Sequence, residues 1–313
     1  MINGVNPDGF NAVIAKWRAI RDGYAGIDGS LNEALVYAMD GSGKMVRPRI
    51  CLIAASAVSP RWASDQNSMV PAWRRDLIIA AAVAVEMVHN YSLIHDDLPC
   101  MDNDDMRRGR PTLHKVYGEA IALLAGDALL TDSFSVIAES PVPDENAGHC
   151  AGDAMACIRE LAGAAGGRGM IFGQSLDLAN AAGNLHEPGA ALMNLERIHQ
   201  HKTGALLGAA CAIGAAAAGG SKKAVTAFRF AGSQIGVAFQ IMDDLLDDSD
   251  NIGKTQGKDA TTGKQTYLSL LGRTRGLELV QGLTSGALQG LNEVGILTPD
   301  FEAFAAALCR RKF

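Results

Sequence analysis

Two clusters of acidic residues, each placed directly after a long apolar stretch, constrain what this chain can fold into. The first cluster lies in residues 95–105 and the second in residues 240–248. Because both follow apolar stretches, we expect the carboxylates to project from helix ends into a protected space. Carboxylates in one pocket repel each other unless cations lie between them, and Mg²⁺ prefers such oxygen ligands and shares them with phosphates. The pattern therefore indicates magnesium and a diphosphate within an apolar helical frame.

Helical signals recur from end to end of the chain, whereas alternating strand patterns are scarce. The patterns predict helices at residues 31–39, 74–94, 120–138, 145–165, 192–218, 222–246, 265–280 and 299–309. The helices at 74–94 and 222–246 would deliver the two acidic clusters. Since no linker divides the chain, we expect one all-α domain over residues 1–313.

Composition narrows the class of protein and its partners. Hydrophobic residues make up 48% and charged residues 20%, which is ordinary for a soluble globular protein. A net charge of −6 does not favour nucleic acid as a partner. Residues 203–221 contain no charged residue and are mostly Ala and Gly. Such small residues fit close helix–helix packing better than a membrane span. With six cysteines lacking CxxC spacing and no apolar leader, we expect a cytoplasmic protein that does not span a membrane.

The spacing of the acids predicts how they meet. Asp243 and Asp247 are four residues apart, so they share one helical face with Cβ atoms about 5–6 Å apart. Asp96 and Asp102 are six apart with Pro99 between them, so the loop must fold Asp102 back toward Asp96. A solvated helix end and an ordinary charged loop remain the alternative interpretations of the two clusters.

Basic groups occur at several points that could serve an anion. Arg107 and Arg108 directly follow the first cluster, and guanidinium groups bind phosphate through two parallel hydrogen bonds. A Gly-rich segment at residues 41–48 brings Lys44 and Arg47 to a helix entry, where anions bind well, although Met45 breaks the P-loop pattern. The remaining candidates are Lys202 and Thr203 at a helix start, His89 on the face of Asp96, and Lys254 and Lys264 after the second cluster. A flexible basic loop, and for His89 a satisfied core histidine, are the competing interpretations.

Taken together, these strings resemble the trans-isoprenyl diphosphate synthases over roughly residues 41–267. The resemblance rests on GSGKMVRP, EMVHNYSLIHDDLPCMDNDDMRRGRPT, GDALL, GMIFGQSLDL, HKTGALL, FQIMDDLLD and GKQTY, in this order. The first acidic motif, widened to DDxxxxD, and YSLIHDDLP look like the bacterial farnesyl diphosphate synthases.

This resemblance implies an all-α bundle around a deep central cavity, a homodimer, and three Mg²⁺ ions with diphosphate bound. It implies metal ligands at Asp96, Asp102 and Asp243, supported by Asp97, Asp244 and Asp247. The implied allylic diphosphate site comprises Arg107, Lys202, Thr203, Gln240, Lys254 and Lys264. The implied isopentenyl diphosphate site comprises Lys44, Arg47, His89 and Arg108. Asp96, Asp97, Asp102, Arg107, Lys202 and Asp243 would be the catalytic residues.

The expected reaction is head-to-tail (1'-4) condensation of isopentenyl diphosphate with dimethylallyl or geranyl diphosphate to give farnesyl diphosphate. Chain length would depend on Ser92, on nearly the same face as Asp96, and on Tyr91, which is off that face but whose position controls length in the family. Geranyl or geranylgeranyl diphosphate synthase is the alternative. Remoter alternatives are a class I terpene cyclase, which typically carries an NSE-type second motif, and an inactive partner subunit, which usually lacks an acidic motif.

Overall fold

Helices form most of the chain that the structure, a computed structural model, describes: residues 5–40, 43–62, 70–140, 147–181, 190–246 and 266–309. The first six helices are α1 (Pro7–Ala25), α2 (Ser30–Asp40), α3 (Val46–Val58), α4 (Ala72–Asp96), α5 (Leu113–Tyr117) and α6 (Glu119–Ala138). The others are α7 (Ala147–Ala165), α8 (Met170–Ala181), α9 (Ala191–His199), α10 (Ala205–Ala217), α11 (Lys222–Leu246), α12 (Tyr267–Val294) and α13 (Pro299–Cys309). Two short antiparallel strands, β1 (Met106–Arg107) and β2 (Arg110–Pro111), form a hairpin between α4 and α5. The predicted all-α fold is confirmed.

Helix α10 lies at the centre of the bundle, where every residue from Leu206 to Ala217 is buried. It packs against α3, α4, α7 and α11. Its Ala and Gly residues allow these neighbours to approach closely, because small side chains leave room for the backbone of the next helix. The small residues that the sequence shows here therefore serve internal packing.

Helix α4 carries the first acidic cluster to the edge of this core. Its middle, rich in Ala and Val, is almost entirely buried, and the helix ends at Asp96 with Asp97 as its C-cap residue. The sequence predicted a helix at 74–94, so the structure adds one half-turn at each end. Because the core holds the middle of α4 tightly, the position of its carboxyl end is well defined.

Two predicted helices differ from those observed. The sequence predicted one helix over 192–218, but a π-helical turn at Gln200–Gly204 separates α9 from α10. The predicted helix at 265–280 begins at Tyr267, where Thr266 and Ser269 form a reciprocal capping box, and extends to Val294 with a kink at Gly272, whose φ is 71°. The helix predicted at 222–246 matches α11. That residues 1–313 form one domain stays a prediction.

Within the described residues, α4 and α6 are long and apolar enough to cross a membrane by length and composition. In α4, 78% of the most apolar window is buried inside the protein, and in α6 the share is 33%. Core helices of soluble proteins meet the same criteria, so these features are weak evidence for a span. That the chain does not span a membrane stays a prediction.

Candidate active site

The loop after α4 folds back on the helix end and brings the predicted acids together. The backbone N–H of Asp102 donates to the carbonyl of Asp96 at 2.8 Å, and that of Asn103 donates to Leu98 at 3.1 Å. Asn103 adopts a left-handed φ of 50°, which Asn tolerates better than most residues. The predicted return of Asp102 toward Asp96 is therefore observed.

Asp97 and Arg107 form a close ion pair between the end of α4 and the hairpin. Asp97 is 3% exposed. Nε of Arg107 donates to its two carboxylate oxygens at 2.7 and 2.8 Å, and Nη2 lies 2.6 Å from Oδ1. Burial raises the pKa of Asp97, although Arg107 opposes the rise. Asp97 thus holds the guanidinium of Arg107 beside the first cluster.

Asp96 lies in surroundings that disfavour its negative charge. Burial raises its pKa to about 6, and the like charges of Asp102 and Asp97 act in the same direction, whereas Lys202 and Arg107 oppose it. A divalent cation between Asp96 and Asp102 would relieve this repulsion, and their hard oxygen ligands suit Mg²⁺. Among the described residues, no three His, Cys, Asp or Glu side chains form a ready-made metal cluster. This donor set fits an ion that is shared with a phosphate group.

Lys202 faces the first cluster from the π-helical turn. Its Nζ lies 2.7 Å from Oδ2 of Asp177 on α8. Burial acts to lower the pKa of Lys202, but Asp177, followed by Asp96 and Asp102, outweighs it, so the net pKa is raised. The turn fits closely against α8, because a Cβ added at Gly173 would lie 2.1 Å from the backbone nitrogen of Lys202. This contact places a cation that stays charged near the predicted metal ligands.

Thr203 connects the same turn with the helix that carries the second cluster. Its Oγ1 donates to Oε1 of Gln240 on α11 at 3.2 Å. Asp243 and Asp244 follow within one turn of α11, and Oδ2 of Asp244 accepts from the backbone N–H of Tyr267 at 3.2 Å. The π-helical turn therefore has Lys202 toward the first cluster and Thr203 toward the second. Asp247, Lys254 and Lys264, predicted for this site, lie outside the described residues.

A second basic group lies around Glu86 of α4. The guanidinium of Arg108 rests on Gly43, where an added Cβ would lie 2.7 Å from Cζ, so the Gly-rich segment and the hairpin meet here. Burial lowers the pKa of Arg47 to about 10, with Glu86 raising it and Arg108 lowering it. Burial and the charges of Arg47 and Arg108 also hold the pKa of His89 well below its usual range, so His89 is neutral. Lys44, next to Gly43, is exposed to solvent.

Two charged residues at these sites were missed by the sequence reasoning. Glu86 is 1% exposed on α4, and its electrostatic partners are Arg47 and Arg108. Asp177 on α8 holds Lys202. An acid inside an apolar helix is a usable signal, because such residues are almost never fully buried unless paired. That signal identifies Glu86, whereas Asp177 is revealed only by its contact with Lys202.

The residues predicted to control chain length lie on different flanks of α4. The hydroxyl of Ser92 donates to the carbonyl of His89 at 2.8 Å. The ring of Tyr91 packs edge-on against His95, with centroids 5.6 Å apart, and Nε2 of His95 lies 3.0 Å from the carbonyl oxygen of Leu123 on α6. Tyr91 is thus held on the α6 side of the helix.

The structure is an all-α bundle in which both acidic clusters lie near the π-helical turn that carries Lys202 and Thr203. This arrangement defines the isoprenoid-synthase class of fold. The chain belongs to the polyprenyl synthetase family, which matches its residues 28–278.

Several known proteins are similar to it. Heterodimeric geranylgeranyl pyrophosphate synthase large subunit 2 of Arabidopsis thaliana is 42% identical over 83% of this chain and 64% of its own length. Geranylgeranyl pyrophosphate synthase of Capsicum annuum, a chloroplastic protein, is also 42% identical, over 83% of this chain and 66% of its own. The match thus spans just under two thirds of these relatives.

Solved structures share the fold over nearly the whole chain. An FPP/GFPP synthase from Zymomonas mobilis is 32% identical, with a TM-score of 0.72 and coverage of 96% of this chain and 98% of that one. A geranyltransferase from Helicobacter pylori, complexed with magnesium and isoprenyl diphosphate, is 27% identical with a TM-score of 0.74 and coverage of 99% of both chains.

The predicted farnesyl diphosphate synthase is contradicted by the curated relatives, which at 40–42% identity are geranylgeranyl diphosphate synthases. The prediction relied on the resemblance of the widened first acidic motif and of YSLIHDDLP to the bacterial farnesyl diphosphate synthases, supported by a large Tyr91 beside a small Ser92. In the structure the ring of Tyr91 packs against His95 on the α6 side. Burial and the nearby charge of Asp96 raise the pKa of its hydroxyl to about 12. Neither the motif resemblance nor the sizes of Tyr91 and Ser92 therefore predicted the product that the names of the curated relatives give.

Proposed function

We propose that this chain is a magnesium-dependent prenyltransferase that adds isopentenyl diphosphate to an allylic diphosphate and yields geranylgeranyl diphosphate. The observation that carries the proposal is the presence of two separate basic sites beside the first acidic cluster. Arg107 and Lys202 lie at the cluster, whereas Arg47, Arg108 and His89 form a second group around Glu86. Two sites suit a reaction between two diphosphates, and the names of the plant relatives support the twenty-carbon product.

The allylic diphosphate would bind between the two acidic clusters. Asp96, Asp102 and Asp243 would hold three Mg²⁺ ions, which when bound neutralise the charge that develops on the departing pyrophosphate. Lys202 and Arg107 add fixed positive charge there, and Thr203 with Gln240 orients the diphosphate oxygens. Because these groups are already in place, they stabilise charge separation as the allylic carbon–oxygen bond breaks. The bonding electrons leave with pyrophosphate.

Isopentenyl diphosphate would bind at the second basic group. Arg47, Arg108 and Lys44 would pair with its diphosphate, and neutral His89 can donate one N–H without adding charge. Its double bond then attacks the allylic cation, forming the new carbon–carbon bond, and the proton lost afterwards passes to the departing pyrophosphate. The apolar core around α4 and α10 excludes water that would otherwise capture the cation.

The exposed apolar face of α6 supports a homodimer. Leu123 and Leu124 on this helix are 46% and 49% exposed. A second copy that covers this face would bury both leucines. Light scattering on purified protein tests this, with Leu124→Glu expected to give monomers and an unchanged dimer of that variant refuting the placement.

The test of function is turnover of the purified chain with Mg²⁺, isopentenyl diphosphate and, separately, dimethylallyl, geranyl and farnesyl diphosphate. Products are dephosphorylated and identified by liquid chromatography with mass spectrometry. We expect a linear twenty-carbon alcohol and no product when EDTA removes Mg²⁺. Consumption of the allylic substrate without incorporation of isopentenyl diphosphate, or a cyclic hydrocarbon product, would refute the proposal.

A further inference from the structure

The ion pair between Asp177 and Lys202 joins α8 to the π-helical turn beside the first acidic cluster. Nζ of Lys202 lies 2.7 Å from Oδ2 of Asp177, and the two side chains are 27% and 13% exposed. We infer that Asp177 is a positioning residue, which holds the ammonium of Lys202 away from Asp96 and Asp102 so that their oxygens stay open to divalent cations. This inference rests on the proposed function and deepens its account of the allylic site.

The need for such a residue follows from the charges around Lys202. Asp96 and Asp102 both attract its ammonium electrostatically. In the described part of the chain, however, its ion pair within 4.0 Å is with Asp177. A lysine side chain is flexible, so without Asp177 it would turn toward the two carboxylates and compete there with metal ions. Asp177 prevents this by supplying a closer partner.

The pair leaves the ammonium able to bind a phosphate. An ammonium group has three N–H donors, and the hydrogen bond to Asp177 uses one of them. The other two are available to a diphosphate bound with metal at Asp96 and Asp102. Asp177 therefore keeps the oxygens of Asp96 and Asp102 open to metal ions and also leaves two N–H donors of Lys202 for the anion.

The backbone around Asp177 is suited to this role. Gly173 lies one helical turn before Asp177 on α8, and there the helix touches the backbone of Lys202 and His201. The contact sets the separation between the two chains, so the side chains of Asp177 and Lys202 meet at a defined distance. An ion pair anchored on two packed helical segments loses less side-chain entropy than one between mobile loops.

The test compares Asp177→Asn, which keeps the side-chain size, with wild type. Binding of inorganic pyrophosphate in the presence of Mg²⁺ is measured by calorimetry, and unfolding curves verify that each variant is folded. We expect Asp177→Asn to weaken this binding about tenfold or more, the range seen when residues that orient metal ligands are changed. Glu160→Gln is the matched control, since Glu160 pairs with Arg229 at 2.6 Å away from the site. It should bind as wild type does.

A double-mutant cycle separates positioning of Lys202 from any independent effect of Asp177. In a Lys202→Met background, Asp177→Asn should cause no further loss of binding, because the residue that it positions is already gone. In steady-state assays Asp177→Asn should raise KM for the allylic substrate and change KM for isopentenyl diphosphate less than about twofold.

Wild-type affinity in Asp177→Asn, an equal loss with and without Lys202, or no pyrophosphate binding by wild type would each overturn the inference. The proposed function fails separately, if wild type binds pyrophosphate with Mg²⁺ but consumes no isoprenyl diphosphate. The binding comparison then still decides the role of Asp177.

Discussion

Replacing Gly173 with Ala tests whether the contact between α8 and the π-helical turn holds the site together. A Cβ at this position would lie 2.1 Å from N and 2.6 Å from Cα of Lys202, and 2.7 Å from the carbonyl carbon of His201. These are backbone atoms, so they cannot turn aside as a flexible side chain would. Carbon atoms in favourable contact are about 3.5–4.0 Å apart, so the two segments must separate by roughly 1 Å or more.

The size of the effect follows from this separation. Forcing extra atoms into a packed interior typically costs about 1–3 kcal/mol, and contact with backbone favours the upper end. In a chain of this size the cost should lower Tm by about 2–5 °C. Because the displaced segment carries Lys202, kcat should fall about 100-fold, as a misplacement of about 1 Å can produce. Thermal and urea unfolding give the stability, and turnover with isopentenyl and allylic diphosphates gives kcat.

Gly152→Ala is the matched control, since Gly152 is exposed in α7 and an added Cβ would meet no heavy atom within 4 Å. Here the same substitution should raise the unfolding free energy by about 0.5–1 kcal/mol, because Ala restricts the unfolded chain and favours helix. The two substitutions are thus expected to have opposite signs. If Gly173→Ala also stabilised the protein and kept full activity, the argument from close packing would be wrong.

Other variants test the remaining parts of the site. Asp96→Ala and Asp243→Ala should each lower kcat by orders of magnitude with helical content unchanged by circular dichroism, and near-normal turnover at saturating Mg²⁺ would contradict their role as metal ligands. Arg108→Ala should raise KM for isopentenyl diphosphate more than KM for the allylic substrate; the reverse would mean that the two diphosphate sites are exchanged. The pKa of His89 is depressed in the folded state, so below about pH 6.5 the unfolded chain binds more protons than the folded chain. The unfolding free energy should therefore fall as the pH is lowered toward 5. His89→Gln should make this decline shallower in urea unfolding at each pH, and an unchanged slope would count against a neutral imidazole in the folded state. Ser92→Phe should shorten the product found by mass spectrometry, and an unchanged length would place the floor of the pocket elsewhere.

Helical periodicity allowed much of the fold to be predicted from sequence, because an amphipathic or apolar pattern identifies a helix without knowledge of its neighbours. Residues 222–246 illustrate this, since the predicted helix and α11 coincide. The same reasoning failed at 192–218, where a π-helical turn interrupts the helix. No local residue pattern predicts that turn. Its backbone fits against Gly173, which lies on another helix, so the interruption accompanies a tertiary contact.

The sequence by itself determined the residue types that the chemistry needs: two acidic clusters after apolar helices, a fold-back at Pro99, and arginines and lysines nearby. These follow from order and spacing along the chain, which act over a few residues. Only the tertiary structure decided which charges meet, including the pairing of Asp177 with Lys202 and of Glu86 with Arg47 and Arg108. It also placed Tyr91 on the α6 side of its helix. The physical reason is that electrostatic and packing energies depend on distance in space, and residues far apart in sequence become neighbours only when the helices pack.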